Sequence, residues 1–267
     1  MIDFTKRGHE MKSQVIALPG GVMPAAIRYA PLQSALGDEV DFHFKDLEVY
    51  AADEPPPGHS VEHEVAALAR FADSLQLRSF HLLGYSGGGF VSLAFAGTHP
   101  ERLRSLAVFE PARVPGQLSP PEAALDRELR QALAGAEGQE FMRAFTSQQV
   151  RRGVELPPPA GPPPPWMGKR PLGLAALMRA FGEYRFDRNQ LRGCKAPVFY
   201  GYGDLTSEMV ELQAAVLGGL LPDVHVMRFA GIHHFVPPEQ IYTPSHIEAL
   251  RQLWARGERG TQADAAI

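Results

Sequence analysis

Cysteine is almost missing from this chain. Of 267 residues only Cys194 carries a thiol, so no internal disulfide can form, and the expected setting is a reducing one, the cytoplasm. Long apolar runs are missing too. No stretch approaches the roughly 20 residues needed to cross a bilayer, and the opening MIDFTKRGHEMKSQ lacks the apolar core of a secretory signal. No membrane partner is expected. Clusters of one charge are equally scarce: 26 Lys and Arg stand against 30 Asp and Glu, a net charge of −4. Without a basic patch there is no case for nucleic acid. The glycines form no GxGxxG after a strand and no glycine loop ends in GKS or GKT, so a nucleotide cofactor lacks support and none is expected. What remains is a small-molecule partner, with self-association left open.

What is present is a series of short apolar runs: VIAL (15–18), VDFHF (40–44), FHLLG (80–84), LAVFE (106–110), PVFYG (197–201) and VHVMRF (224–229). These read as strands. Between them lie helical patterns, the clearest being Val61, Val65, Leu68, Ala72 and Leu75 behind Ser60 as N-cap. Strands that alternate with helices imply a mostly parallel sheet covered on both faces, an α/β class.

The alternation stops over 111–192. There Ser119-Pro120-Pro121-Glu122 has the form of a capping box, and Leu125, Leu129 and Leu133 follow on one helical face. This reads as a helical insertion, and it contains ELPPPAGPPPPW (155–166), with seven prolines in twelve residues. Such a segment cannot be helix and is expected to run as an extended connector. Thr243 and Pro244 open a last helix with Ile247, Leu250, Leu253 and Trp254 as its apolar stripe, and 257–267 reads as a flexible tail. The division is therefore a core of 1–110 and 193–256 with the insertion between its halves.

The chemistry centres on GYSGG, which places Ser86 among glycines at a strand-to-helix junction. A sharp turn there would hold the serine in a strained conformation with its hydroxyl above the sheet, and Gly84 and Gly88 remove side chains that would collide across it. A serine hydroxyl needs a base and an orienting acid. Asp204 lies just past the strand PVFYG, where parallel sheets build their sites, and is the candidate acid. The base is His233 or His234, in the loop after the last strand.

These residues together resemble the α/β-hydrolase family, whose triad runs in the order serine, acid, histidine. The resemblance spans residues 15 to 254 and implies Ser86, Asp204 and His234 in those roles. Family members often follow the histidine with phenylalanine, which favours His234 over His233 as base. Glu110 ends a strand where some members keep their acid and is the rival of Asp204. Gly87, directly after the nucleophile, is implied as one oxyanion donor. Pro19-Gly20 stands where many members have His-Gly, which makes Gly21 the second donor, with Val22 beside it. The family's N-terminal hairpin is reduced here, leaving six or seven strands, and the insertion corresponds to a lid.

The resemblance implies a carboxylic ester substrate by default, with thioester, lactone or carbon–carbon hydrolysis, perhydrolysis, or a non-catalytic receptor as alternatives. No metal is expected: among ten histidines only His59 and His63 are helix-spaced, and they read as a solvated pair. Tyr85 and Trp166 are the candidate substrate contacts.

Overall fold

Each of the six apolar runs forms a strand. The computed structural model describes residues 12–156 and 161–264, with side chains as far as 260. Its strands are β1 (Ser13–Leu18), β2 (Val40–Phe44), β3 (Phe80–Tyr85), β4 (Leu103–Phe109), β5 (Val198–Gly203) and β6 (Val224–Phe229). They lie in one sheet of order β2-β1-β3-β4-β5-β6, and every neighbouring pair is parallel. The region 1–11, ahead of β1, lies outside the described residues.

Parallel strands require crossovers, and helices supply them. In chain order the helices are α1 (Ala25–Arg28), α2 (Ala30–Leu36), α3 (Val61–Ser74), α4 (Gly87–Thr98), α5 (Pro120–Leu133), α6 (Gly138–Gln148), α7 (Arg170–Glu183), α8 (Met209–Leu220) and, after the last strand, α9 (Pro238–Ile241) and α10 (Pro244–Asp264). Side chains alternate across the sheet as the strand period demands. Ile16, Leu82, Leu106 and Val108 pack toward α3, α4 and α8. Val15, Leu83, Ala107 and Phe109 pack toward α1, α2 and α10. Each large apolar side chain so buried contributes about 1.5 to 3 kcal/mol, which makes the sheet the rigid floor of the site.

The insertion builds α5, α6 and α7 around an apolar cluster of its own, Leu133, Phe141, Phe145 and Leu174. The expected capping box forms, since Glu122 accepts from the Ser119 backbone at 2.8 Å. The fully buried Glu122 also receives a two-pronged bond from Arg188, at 2.8 and 2.9 Å. Arg188 further donates to the carbonyls of Val114 and Pro115, so one guanidinium ties both ends of the insertion together. Of the proline-rich segment, 157–160 lies outside the described residues, and 161–164 is exposed and neither helix nor strand.

Two expectations need correction. Residues 257–264 are not a loose tail but the last turns of α10. The carboxylate of Glu258 accepts from Arg104 and lies 3.0 Å from Nε2 of His81, whose Nδ1 meets Ser105 Oγ at 2.8 Å. Polar anchoring continues the helix past the end of its apolar stripe. His59 is also not solvated: it is 3% exposed, with Nε2 3.3 Å from Glu64, because the turn before α3 folds inward. Among the described residues no helix is long and apolar enough to cross a membrane.

Candidate active site

Ser86 sits between the end of β3 and the start of α4 with φ 51° and ψ −116°, a conformation that costs a non-glycine residue strain. The surrounding glycines make the turn feasible. A Cβ on Gly84 would stand 2.3 Å from Ser92 Oγ, and one on Gly88 only 2.4 Å from the Pro19 carbonyl oxygen. The first helical turn can therefore close against β1, and the Gly88 N–H donates to Pro19 O at 2.9 Å.

His234 comes to this serine from the loop after β6. Its Nε2 lies 3.0 Å from Ser86 Oγ, and its Nδ1 lies 2.7 Å from Oε2 of Glu110. All three side chains are buried, Ser86 at 9% exposure, His234 at 3% and Glu110 at 1%. The other Glu110 oxygen accepts from the Gly203 backbone at 2.7 Å and from Thr206 Oγ1 at 2.5 Å. Glu110, like Ser86, has positive φ, 45°. With three donors on its two oxygens the carboxylate is fixed in orientation, which in turn fixes the imidazole.

Asp204, the expected acid, is not part of this chain of contacts. Its Oδ1 accepts from the Gly231 N–H at 2.8 Å, and Oδ2 lies 3.5 Å from Arg228. The strand order explains the outcome. Strand β4 is the direct neighbour of β3, with Phe109 in register with Tyr85, so Glu110 projects beside Ser86. Asp204 stands one strand farther out and turns to the β6 side. His233 is the neighbour that does not reach the serine: its Nδ1 accepts from the Phe235 N–H within its own loop, and burial pushes its pKa below the usual histidine value.

Gly21 and Gly87, the expected oxyanion donors, lie close together, with the Gly21 nitrogen 3.5 Å from where a Cβ of Gly87 would stand. Tyr50 donates to the Gly21 carbonyl at 2.5 Å and so holds the following peptide, which leads into Val22. Gly21, Gly87 and Ser86 line a pocket of about 60 Å³ roofed by Leu174, Leu177 and Phe181 of α7. On the other side of the serine, Val22, Arg28, Phe145 and Phe235 help to enclose a cavity of about 280 Å³. Glu110 and His234 also border a larger cavity, about 530 Å³, between α5, α6 and α8.

The two expected substrate contacts fare differently. Tyr85 lines the 280 Å³ cavity but is 3% exposed; its hydroxyl donates to the His234 carbonyl and its ring stacks on the imidazole at 5.1 Å. It buttresses the histidine loop. Trp166 lies in a short 3-10 turn ahead of α7, near Arg170, and lines neither cavity that holds Ser86. Thr206 and Arg28 were not anticipated. Thr206 had a signal, its place two residues beyond the candidate acid, whereas nothing in the sequence marks Arg28.

Comparison with known proteins agrees with this architecture. Residues 28–156 match the profile of the α/β hydrolase fold. A Caulobacter segnis protein, RutD, named for carbamate hydrolysis, is 30% identical over 98 residues, which is 36% of this chain and 37% of that one. The match thus spans little more than a third of that relative. Among solved structures, a hydrolase from Pseudomonas aeruginosa is 17% identical with a TM-score of 0.65, covering 91% of this chain and 89% of the other. A thermophilic esterase from Thermogutta terrifontis is 18% identical with a TM-score of 0.67, covering 92% and 91%. The chain has the α/β-hydrolase fold.

Proposed function

We propose that this protein is a serine hydrolase that cleaves a carboxylic ester or related acyl bond of a small molecule through an acyl-enzyme. The observation that carries the reading is the continuous line Ser86–His234–Glu110, with 3.0 Å and 2.7 Å between successive partners. In this mechanism Ser86 Oγ attacks the carbonyl carbon while Nε2 of His234 takes the hydroxyl proton. Glu110 stabilises the imidazolium and holds its Nδ1 proton inward. The Gly21 and Gly87 amides receive the oxyanion, ordinarily the largest electrostatic contribution in acyl transfer. His234 then returns the proton to the leaving alcohol, and water activated by the same imidazole releases the acid and restores Ser86. The helical insertion acts as a lid, since Leu174, Leu177 and Phe181 already cover the oxyanion side of the serine.

Carbamate hydrolysis is the second reading, supported by the local similarity to the Caulobacter segnis relative. It uses the same attack on an acyl carbon and differs in the leaving group. A fluorophosphonate followed by intact mass tests the common step. One adduct per wild-type chain and none on Ser86→Ala is the expected result, with turnover of an ester panel lost by several powers of ten in that variant. Equal turnover in the two proteins would contradict the assignment.

A further inference from the structure

Arg28 ends α1 with 4% of its surface exposed, in the wall of the same 280 Å³ cavity that holds Ser86 and His234. Its guanidinium lies over the Tyr85 ring, Cζ 4.0 Å from the centroid, and Tyr85 stacks in turn on His234. The Nε and Nη1 atoms have no hydrogen-bond partner, and no carboxylate among the described residues pairs with the side chain. Arginine is seldom buried without a counter-charge, because its desolvation is costly. The face of one tyrosine offsets only part of that cost.

The fold thus keeps an unpaired, permanently charged fork beside the nucleophile. No acidic side chain lines this cavity, whose one other charge-bearing residue is the histidine itself. By contrast, Arg113 and Arg188 of the insertion have Asp126 and Glu122 as partners, and Arg170, buried over Tyr50, lines neither cavity that holds Ser86. We infer that Arg28 is the recognition site for a carboxylate on the substrate, so that the preferred substrates are anionic esters whose free carboxylate lies a few bonds from the scissile carbonyl. A single guanidinium matches one planar monoanion in charge and in its parallel donors. A phosphate dianion would call for further donors that this wall does not provide.

The inference rests on the serine-hydrolase reading for its catalytic readout, and a binding measurement separates the two. Two matched pairs serve as substrates. Monoethyl glutarate is compared with ethyl 5-methylhexanoate, its uncharged near-isostere, and 4-acetoxybutanoate with 4-methylpentyl acetate. The first pair carries the carboxylate on the acyl side and the second on the alcohol side. Wild type is expected to favour the anion of at least one pair by roughly 10- to 100-fold in kcat/KM, and Arg28→Gln to erase that ratio. Arg28→Lys keeps the charge over Tyr85 but not the fork, and is expected to retain a smaller preference, which also covers the case that the glutamine variant does not fold. In parallel, glutarate should raise the melting temperature of wild type and of Ser86→Ala but not of Arg28→Gln.

Equal losses on both members of each pair in Arg28→Gln, or a wild-type preference for the neutral esters, would overturn the inference while leaving the hydrolase intact. A glutarate shift that depends on Arg28, in a protein that turns over no ester and takes no fluorophosphonate, would keep the site and remove the hydrolase reading.

Discussion

Glu110 and His234 meet at 2.7 Å above the end of β4, although 124 residues separate them in the chain. The contact forms because β4 runs beside the strand that carries Ser86. The Gly203 N–H and the Thr206 hydroxyl then hold the far oxygen of the carboxylate, leaving Oε2 turned toward the imidazole. The acid is thereby defined by its position in the sheet as much as by its residue type.

The strand-to-helix turn should be intolerant of any side chain at residue 88. In Gly88→Ala the new Cβ would press on the backbone oxygens of both Pro19 and Leu18, at 2.4 and 2.7 Å, which cannot move without shifting β1. A loss of about 2 to 4 kcal/mol is expected. Urea unfolding of the two proteins measures it, and a change below about 0.5 kcal/mol would show that the turn yields more easily than its contacts imply.

The clamp between Arg188 and Glu122 should hold the insertion to the core. Burial opposes the Glu122 charge, but the bonds from Arg188 and Ser119 win and bring its pKa below the usual carboxylate value. Glu122→Ala leaves the Arg188 side chain, itself largely buried, without its partner, and a destabilisation of about 3 to 5 kcal/mol is expected. Thermal unfolding reads this directly, and an unchanged melting temperature would speak against the clamp.

A pH effect on stability should arise at Glu64. Its carboxylate accepts from the backbone N–H groups of Glu48 and Val49, which favours the charged form. Burial outweighs them and raises the pKa to about 7. A group whose folded pKa exceeds its unfolded value contributes stability that is complete below the unfolded pKa, about 4.3, and is lost as pH rises through about 7. Between those limits the wild type should lose on the order of 3 to 4 kcal/mol on this account. In Glu64→Gln the slope over that window should flatten even where the overall stability is lower. Parallel slopes in the two proteins would assign the pH dependence elsewhere.

Much of the fold was legible in the sequence because apolar period and turn chemistry agree. The run VDFHF and the run VHVMRF become strands with the expected limits, and the caps at Ser60 and Ser119 form as read. The serine and histidine of the site were legible for the same local reasons. The choice of acid was not, because two strands end in a carboxylate and only the lateral order of the sheet decides which one faces His234. The turns of α10 beyond Trp254 were missed because Glu258 anchors them through His81 and Arg104, contacts that leave no trace in apolar spacing. His59 was misread for a related reason: burial of a polar residue depends on the path of a loop, here the one that folds onto Glu64. Arg28 was invisible because its significance lies in the partner it lacks.

The most direct test of the central claim is the pair Glu110→Gln and Asp204→Asn, compared with wild type for steady-state ester hydrolysis and for the rate of fluorophosphonate labelling. Loss of the carboxylate that orients the histidine should lower kcat by about 10³- to 10⁴-fold in Glu110→Gln and slow labelling in step. Asp204→Asn should stay within a few-fold of wild type in both measurements, since its carboxylate serves Gly231 and Arg228. The reverse pattern, with Asp204→Asn inactive and Glu110→Gln close to wild type, would contradict the assignment of Glu110 as the acid that orients His234.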